Sequence, residues 1–195
     1  MIVVWAAMLV AFFCFLRKDN FTVKKADSFN TRVHLTRGDI RRTAGGFQFT
    51  FRHSKTNQVA TRVHRTAVAE MRGSPLDPVH AVLRAFALCP RAKASDPAFA
   101  IPQPVGPPVP LTHGAFVQAL KFCLREIGVD HTQYSGHSFR RGGATFAHRL
   151  GVDPLLIKIM GDWSSDAFMS YIDKYSPENL VRLPLVLAAA CAHLA

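Results

Sequence analysis

Clustered cysteines are missing from this chain, and acidic residues are scarce; each shortage narrows what the protein can be. The four cysteines among 195 residues, Cys14, Cys89, Cys123 and Cys191, lie far apart with no C-x-x-C pair. That spacing suits neither a zinc site nor a disulfide framework. Each sits among apolar neighbours, so reduced core cysteine in an intracellular, reducing compartment is the expectation. Only 13 Asp and Glu face 24 Lys and Arg, giving a net charge of +11 and a pI near 10.1. A balance this basic points to a polyanionic partner, most simply nucleic acid. The excess is local, because residues 17–65 hold twelve Lys and Arg against Asp19, Asp27 and Asp39, a net +9. The first sixteen residues, MIVVWAAMLVAFFCFL, carry no charge at all. No basic residue precedes that run and no clear small-residue cleavage site follows it, which argues against a signal peptide. It also falls short of the ~20 apolar residues of a membrane span. Beside these two readings stands a third, a buried helix that delivers Arg17 at its end.

What is present has an order. Residues 2–16 read as that helix, apolar on nearly all sides. Residues 31–35, 38–42, 46–53 and 59–64 show alternation or β-branched and aromatic enrichment, and are predicted as short antiparallel strands. Gly45-Gly46 makes a turn, and Ser54–Gln58 is the tip between the last two strands. Asp77 opens a predicted helix over Pro78–Leu88. Seven prolines in residues 90–110 predict an irregular loop. Thr112 caps a helix that runs to Ile127 and ends at Gly128. Another spans His137–Leu150, stopped by Gly151, and Asp153 caps a short one with Pro154 at its first position. Further short helices follow at 165–172 and after Ser176. There is no internal repeat and no heptad run. The prediction is one α+β domain over 1–195, mostly helical, with a small antiparallel sheet near residues 31–64.

The chemistry concentrates in one stretch of 35 residues, where His137-Ser-Phe-Arg140 precedes Trp163 and Tyr171. A tyrosine hydroxyl, with a free pKa of about 10, needs activation and a stabilised product to act as a nucleophile. An arginine fork binds two phosphate oxygens at once. A histidine donates to a phosphate oxygen or accepts a proton, and an indole N–H donates while its ring packs. Together they suit attack of a phenol on a phosphodiester, with positioned cations and donors doing the electrostatic work without a metal. Arg140 and Arg141 cannot share a helix face; Arg140 has the His-x-x-Arg spacing, which leaves Arg141 for solvent or the DNA backbone. The eight-residue step from Trp163 favours Tyr171 over Tyr175. Tyr134 and the other histidines, His34, His53, His64, His80, His113, His131, His148 and His193, receive no role. Gly142-Gly143 lowers helix propensity, and close packing is the expected cause.

The stretch GHSFRRGGATFAHRLGVDPLLIKIMGDWSSDAFMSYI resembles the C-terminal part of the tyrosine recombinase (phage integrase-like) family. Two earlier pieces join it. Arg17 in FCFLRKDN matches the family's first catalytic arginine, and Lys55 in Ser-Lys-Thr-Asn-Gln matches its β-hairpin lysine. The likeness runs from about residue 5 to about residue 183, and the pieces keep the family's order. The wording Ser-Lys-Thr-x-Gln and Gly-x-Trp-Ser-Ser-Asp further resembles eukaryotic mobile-element recombinases of the DIRS and Crypton kinds.

The resemblance implies DNA strand cleavage and rejoining through a 3′-phosphotyrosyl link, with Tyr171 as nucleophile and Arg17, Lys55, His137, Arg140 and Trp163 as the remaining catalytic residues. Lys55 would be the general acid for the departing 5′ oxygen. The partners implied are double-stranded DNA and further copies of the chain assembled on it; the LRKDN that follows the apolar run fits the family pattern, which favours the buried helix and implies no membrane partner. No metal or nucleotide cofactor is implied, and location would be intracellular, nuclear in a eukaryote. A catalytically inactive DNA-binding remnant of a mobile element is the alternative. Two departures stand out. Family members often carry an acid three places after the first arginine, where this chain has Asn20 with Asp19 beside it. Members also usually have an N-terminal helical core-binding domain on the other face of DNA; this chain starts almost at the catalytic domain, so that domain is expected to be absent.

Overall fold

The computed structural model describes residues 1–52 and 63–171. Its first helix, α1 (Ile2–Phe13), is built from branched and small apolar residues with no charge to solvate. Val3, Val4, Ala6, Ala7, Met8, Leu9, Val10 and Ala11 are all buried, so the helix is central to the core, and only Trp5 is exposed mid-helix. It packs against α2 (Pro78–Ala87) on one side and α4 (Ser138–Arg149) on the other. Twelve residues span about 18 Å, and among the described residues no helix is long and apolar enough to cross a membrane. The helix stops three residues earlier than the sequence predicts. Cys14 leaves helical geometry, and Phe15 adopts a left-handed φ of 52°.

A three-stranded antiparallel sheet follows, β1 (Ile40–Thr43), β2 (Gly46–Phe51) and β3 (His64–Ala69), in that order. Phe49 sits opposite Ile40 on one side and Thr66 on the other. Phe47, Phe49, Phe51 and Val68 point into the main core. Gly46 is needed where β2 meets β3, because a Cβ there would sit inside the carbonyl of Val68.

The sheet differs from the sequence prediction at both ends. Residues 31–35 form turns and not a strand, since the Asn30 side chain accepts from Arg32 N at 2.8 Å and its carbonyl from His34 N at 2.8 Å. Such local bonds compete with a ladder. Residues 37–39 form a 3-10 turn, because Asp39 accepts from both the N–H and the hydroxyl of Thr36, at 2.9 and 2.8 Å. The last strand begins at His64, where the prediction ends it; Val63 is exposed and outside the strand, and residues 59–62 lie outside the described residues, as does the Ser54–Gln58 tip.

The caps read from sequence hold. Asp77 Oδ1 accepts from Val79 N at 2.8 Å at the head of α2. Thr112 Oγ1 accepts from Ala115 N at 3.2 Å at the head of α3 (His113–Glu126), and Asp153 Oδ1 from Leu155 N at 2.6 Å at the head of α5 (Pro154–Met160). Gly128 and Gly151 end their helices with φ of 71° and 82°. The proline-rich loop contains an unpredicted short pair, β4 (Ala100–Ile101) with β5 (Val109–Pro110), whose ends Phe99 and Leu111 are buried. The cysteines Cys14 and Cys89 are buried and unpaired. The predicted helix after Ser176 lies outside the described residues.

Arg37 ties the sheet layer to α2. It donates to the carbonyls of Cys89 and Phe86, both at 2.7 Å, and its guanidinium lies 4.2 Å from the centre of the Phe86 ring. A cation at a helix C-terminus that satisfies its last carbonyls and stacks on a ring stabilises by several independent effects. Arg37→Ala is expected to cost about 1.5–3 kcal/mol, read as a lowered urea midpoint. Arg37→Lys, without the fork, should recover less than half.

Candidate active site

The site begins at the C-terminal end of α1. With Phe15 in left-handed geometry, its carbonyl accepts from Arg140 Nη1 at 2.5 Å. The next turn, Lys18–Asn20, puts Arg17 at its head, where the Arg17 N–H donates to Asn20 Oδ1 at 2.9 Å. Asn20, which stands where the resemblance implies an acid, thus serves the Arg17 backbone. α4 crosses close above, because Gly143 lets it approach: a Cβ there would sit 2.1 Å from the Phe12 oxygen and 2.8 Å from Phe15 Cδ1. Close packing therefore accounts for Gly143. Gly142 has more room, its nearest neighbour being the Phe12 ring at 3.5 Å.

Arg140 is the centre of the arrangement. It is 2% exposed, the largest fully buried side chain among the described residues. Its guanidinium carbon lies 3.6 Å from the centre of the Trp163 ring, within cation–π range. Trp163 belongs to a second apolar cluster with Phe15, Ala144, Ile157 and Phe168, on which Tyr171 packs. Gly161 makes room for the indole, since a Cβ there would fall inside the ring. Trp163 is thus placed under Arg140 as a platform, a position the sequence reading did not anticipate. Asp162 beside it has a φ of 54°; left-handed backbone at non-glycine residues costs of order 1–3 kcal/mol and collects at functional sites. Here two such residues, Phe15 and Asp162, flank Arg140.

Among the described residues only one of the Arg140 nitrogens, Nη1, has a hydrogen-bond partner. Nε and Nη2 are buried and make no hydrogen bond among the described residues. Burial, then the charge of Arg17, pushes Arg140 down to about 9, while Tyr171 and Asp162 work in the opposite direction. A cation in this state has strong reason to take up an anion, because each buried donor without a partner costs about 1–3 kcal/mol.

His137, Tyr171 and Arg141 complete the ring. His137 takes the N-cap place of α4 without capping it. Partial burial, then Lys18, Arg17 and Arg140, hold it below its ordinary 6.5, with Asp19 opposing, so at neutral pH the ring is uncharged and offers one donor and one acceptor. Tyr171 ends a 3-10 turn (Asp166–Tyr171) and is half-buried, its ring edge-on to Trp163 at 6.2 Å. Its carbonyl accepts from Thr145 Oγ1 at 2.5 Å, which anchors it to α4. The Arg141 guanidinium lies 5.7 Å from the Tyr171 ring centre. Sequence reasoning left Arg141 to solvent or the DNA backbone and gave Thr145 no part; the α-helical step from 141 to 145 puts both on the face toward Tyr171.

The structure therefore brings together Arg17, His137, Arg140, Trp163 and Tyr171, from four separate elements. Lys55 and Tyr175 lie outside the described residues. Among the described residues no group of His, Cys, Asp and Glu could hold a metal ion.

No protein-family model matches the sequence, and no curated protein matches it. Solved structures do match the fold. The XerH site-specific recombinase, bound to palindromic difH substrate in a post-cleavage complex, superposes with a TM-score of 0.63 at 13% identity over 94% of this chain and 45% of its own. The Tn1549 transposon integrase, in complex with transposon right end DNA, gives 0.57 at 12% identity over 94% of this chain and 58% of its own. In complex with circular intermediate DNA it gives 0.53 at 13% identity over 97% and 59%. The chain has the α+β fold shared by these tyrosine recombinases, and it spans about half the length of the solved chains it matches.

Proposed function

We propose that this chain breaks and rejoins DNA strands through a covalent tyrosyl intermediate. One observation carries the reading: a buried arginine, Arg140, two of whose nitrogens have no hydrogen-bond partner among the described residues, set among Arg17, His137 and the hydroxyl-bearing Tyr171. A phosphodiester supplies the planar pair of oxygens that such a fork takes. The net +9 of residues 17–65 supports a duplex as the carrier of that phosphate, and the solved recombinases of this fold hold DNA.

In the proposed step the Tyr171 oxygen attacks phosphorus and forms the new O–P bond. Its proton passes to a base, for which uncharged His137 is suited. The P–O5′ bond breaks, and the departing 5′ oxygen takes a proton from Lys55. The 3′ phosphate stays on Tyr171, and a 5′ hydroxyl reverses the step, so neither metal nor nucleotide is consumed. Arg17 and Arg140 bind the non-bridging oxygens as their charge grows, which is where fixed donors are most effective. Exchange between two duplexes needs two such sites, so self-association on DNA belongs to the proposal, as does an intracellular location, nuclear in a eukaryote.

The leaving-group step has its own test. Sulfur in place of the bridging 5′ oxygen lowers the leaving-group pKa and removes the need for an acid. Lys55→Ala is expected to be slow on the oxygen substrate and restored on the sulfur one, while Arg17→Ala stays slow on both. A Lys55→Ala protein equally impaired on both substrates refutes the role. Failure of the unaltered chain to form any covalent adduct, with binding intact, favours the inactive DNA-binding remnant.

A further inference from the structure

We propose that His113 is a positioning residue of this site, holding Asp19 as the carboxylate that acts on His137 in the place where Asn20 supplies none. The inference rests on the reading of the site given above. Asp19 Oδ1 lies 3.1 Å from His113 Nε2 and 3.2 Å from Lys18 Nζ. His113 is the first residue of α3, and that end is fixed to the site turn by backbone bonds: Val23 N to the Leu111 carbonyl at 3.1 Å and His113 N to the Val23 carbonyl at 2.8 Å. On the other side, the Lys18 stem crosses Gly136, where an added Cβ would sit 2.8 Å from Lys18 Cδ. Gly136 immediately precedes His137. An unbroken string of contacts therefore runs from His113 through Asp19 and Lys18 to the backbone beside His137.

The charges explain why such a string is useful. The groups acting on His137 are Lys18 and Arg17 from the turn after α1, Arg140 from α4, and Asp19. Three are cations, and Asp19 is the one acid among them. Left mobile, an exposed carboxylate loses most of its field to water. A hydrogen-bond donor that is itself uncharged fixes the carboxylate without cancelling its charge. His113 meets that need: burial holds its ring below 6.5 against the pull of Asp19, with Lys18 and Lys24 pushing down and the Thr22 backbone up. Sequence reading gave His113 no role, since 94 residues separate it from Asp19.

The test uses the full chain and reads the His137 ring titration by NMR, assigned by its loss in His137→Gln, beside the pH profile of covalent adduct formation on nicked DNA. Asp19→Asn is expected to lower the His137 midpoint by about half a pH unit or more, the scale of a nearby opposite charge in a partly exposed place. His113→Ala should lower it in the same direction by less, and His113→Gln, which keeps a donor of similar reach, should restore it. The limb of the profile that His137 governs should move to lower pH by the same amounts. An unmoved His137 titration in Asp19→Asn overturns the inference, as does failure of His113→Gln to restore a shift seen in His113→Ala. The titration needs no reaction, so a chain that forms no adduct but shows these shifts defeats the recombinase reading and leaves the positioning role standing. Should His113→Ala fail to fold, Asp19→Asn and His113→Gln decide alone: His113→Gln must leave the midpoint at its original value.

Discussion

Tyr171→Phe is expected to abolish covalent attachment to a nicked DNA substrate while changing non-covalent affinity less than about tenfold, since only one hydroxyl leaves and a neutral hydrogen bond contributes about 0.5–1.5 kcal/mol. The ring keeps its edge-on contact with Trp163 at 6.2 Å and its place near Arg141. The backbone anchor from Thr145 to the Tyr171 carbonyl does not involve the phenol and survives. Folding should therefore be intact, and thermal unfolding of the variant should match the parent. Denaturing electrophoresis separates the outcomes cleanly: a Phe variant that still gives a denaturant-resistant protein–DNA adduct removes Tyr171 as nucleophile and moves attention to Tyr175.

Arg140→Lys is the second large effect. Lysine keeps a charge on the Trp163 platform but loses the fork, and with it the Nε and Nη2 donors that stand without partners. A donor set used only as transition-state charge develops is worth about 3–4 kcal/mol, or roughly a hundred- to a thousandfold in rate. That loss is expected in single-turnover adduct formation, with affinity reduced less than about tenfold. Equal losses in both would make Arg140 an ordinary phosphate contact. Lysine is preferred to alanine here because removing a buried side chain that also satisfies the Phe15 carbonyl would confound rate with stability.

How much of this was readable beforehand depends on the range of the interaction. Helix caps are local, and Asp77, Thr112 and Asp153 all cap where the sequence places them. The order of Arg17, His137, Arg140, Trp163 and Tyr171 was legible because chemistry constrains residue type. Their convergence was not, because it depends on Gly143 allowing α4 onto the end of α1 and on the left-handed turns at Phe15 and Asp162. No propensity favours such a turn at Phe15, and aspartate only occasionally adopts one. The strand predicted over 31–35 failed for the reverse reason: β-branched content suggested extension, but Asn30 offered the backbone nearer partners. The sequence suggests that the Trp163 ring packs while its N–H donates; that the face of the ring lies under Arg140 is a long-range contact the sequence does not specify.

The most direct measurement is to trap the protein on a nicked DNA substrate, digest the adduct, and identify the modified residue by mass spectrometry. The account expects a nucleotide remnant joined through its 3′ phosphate to Tyr171, and a free 5′ hydroxyl on the released strand. A remnant on Tyr134, Tyr175 or any other residue, or a link through a 5′ phosphate, would contradict it.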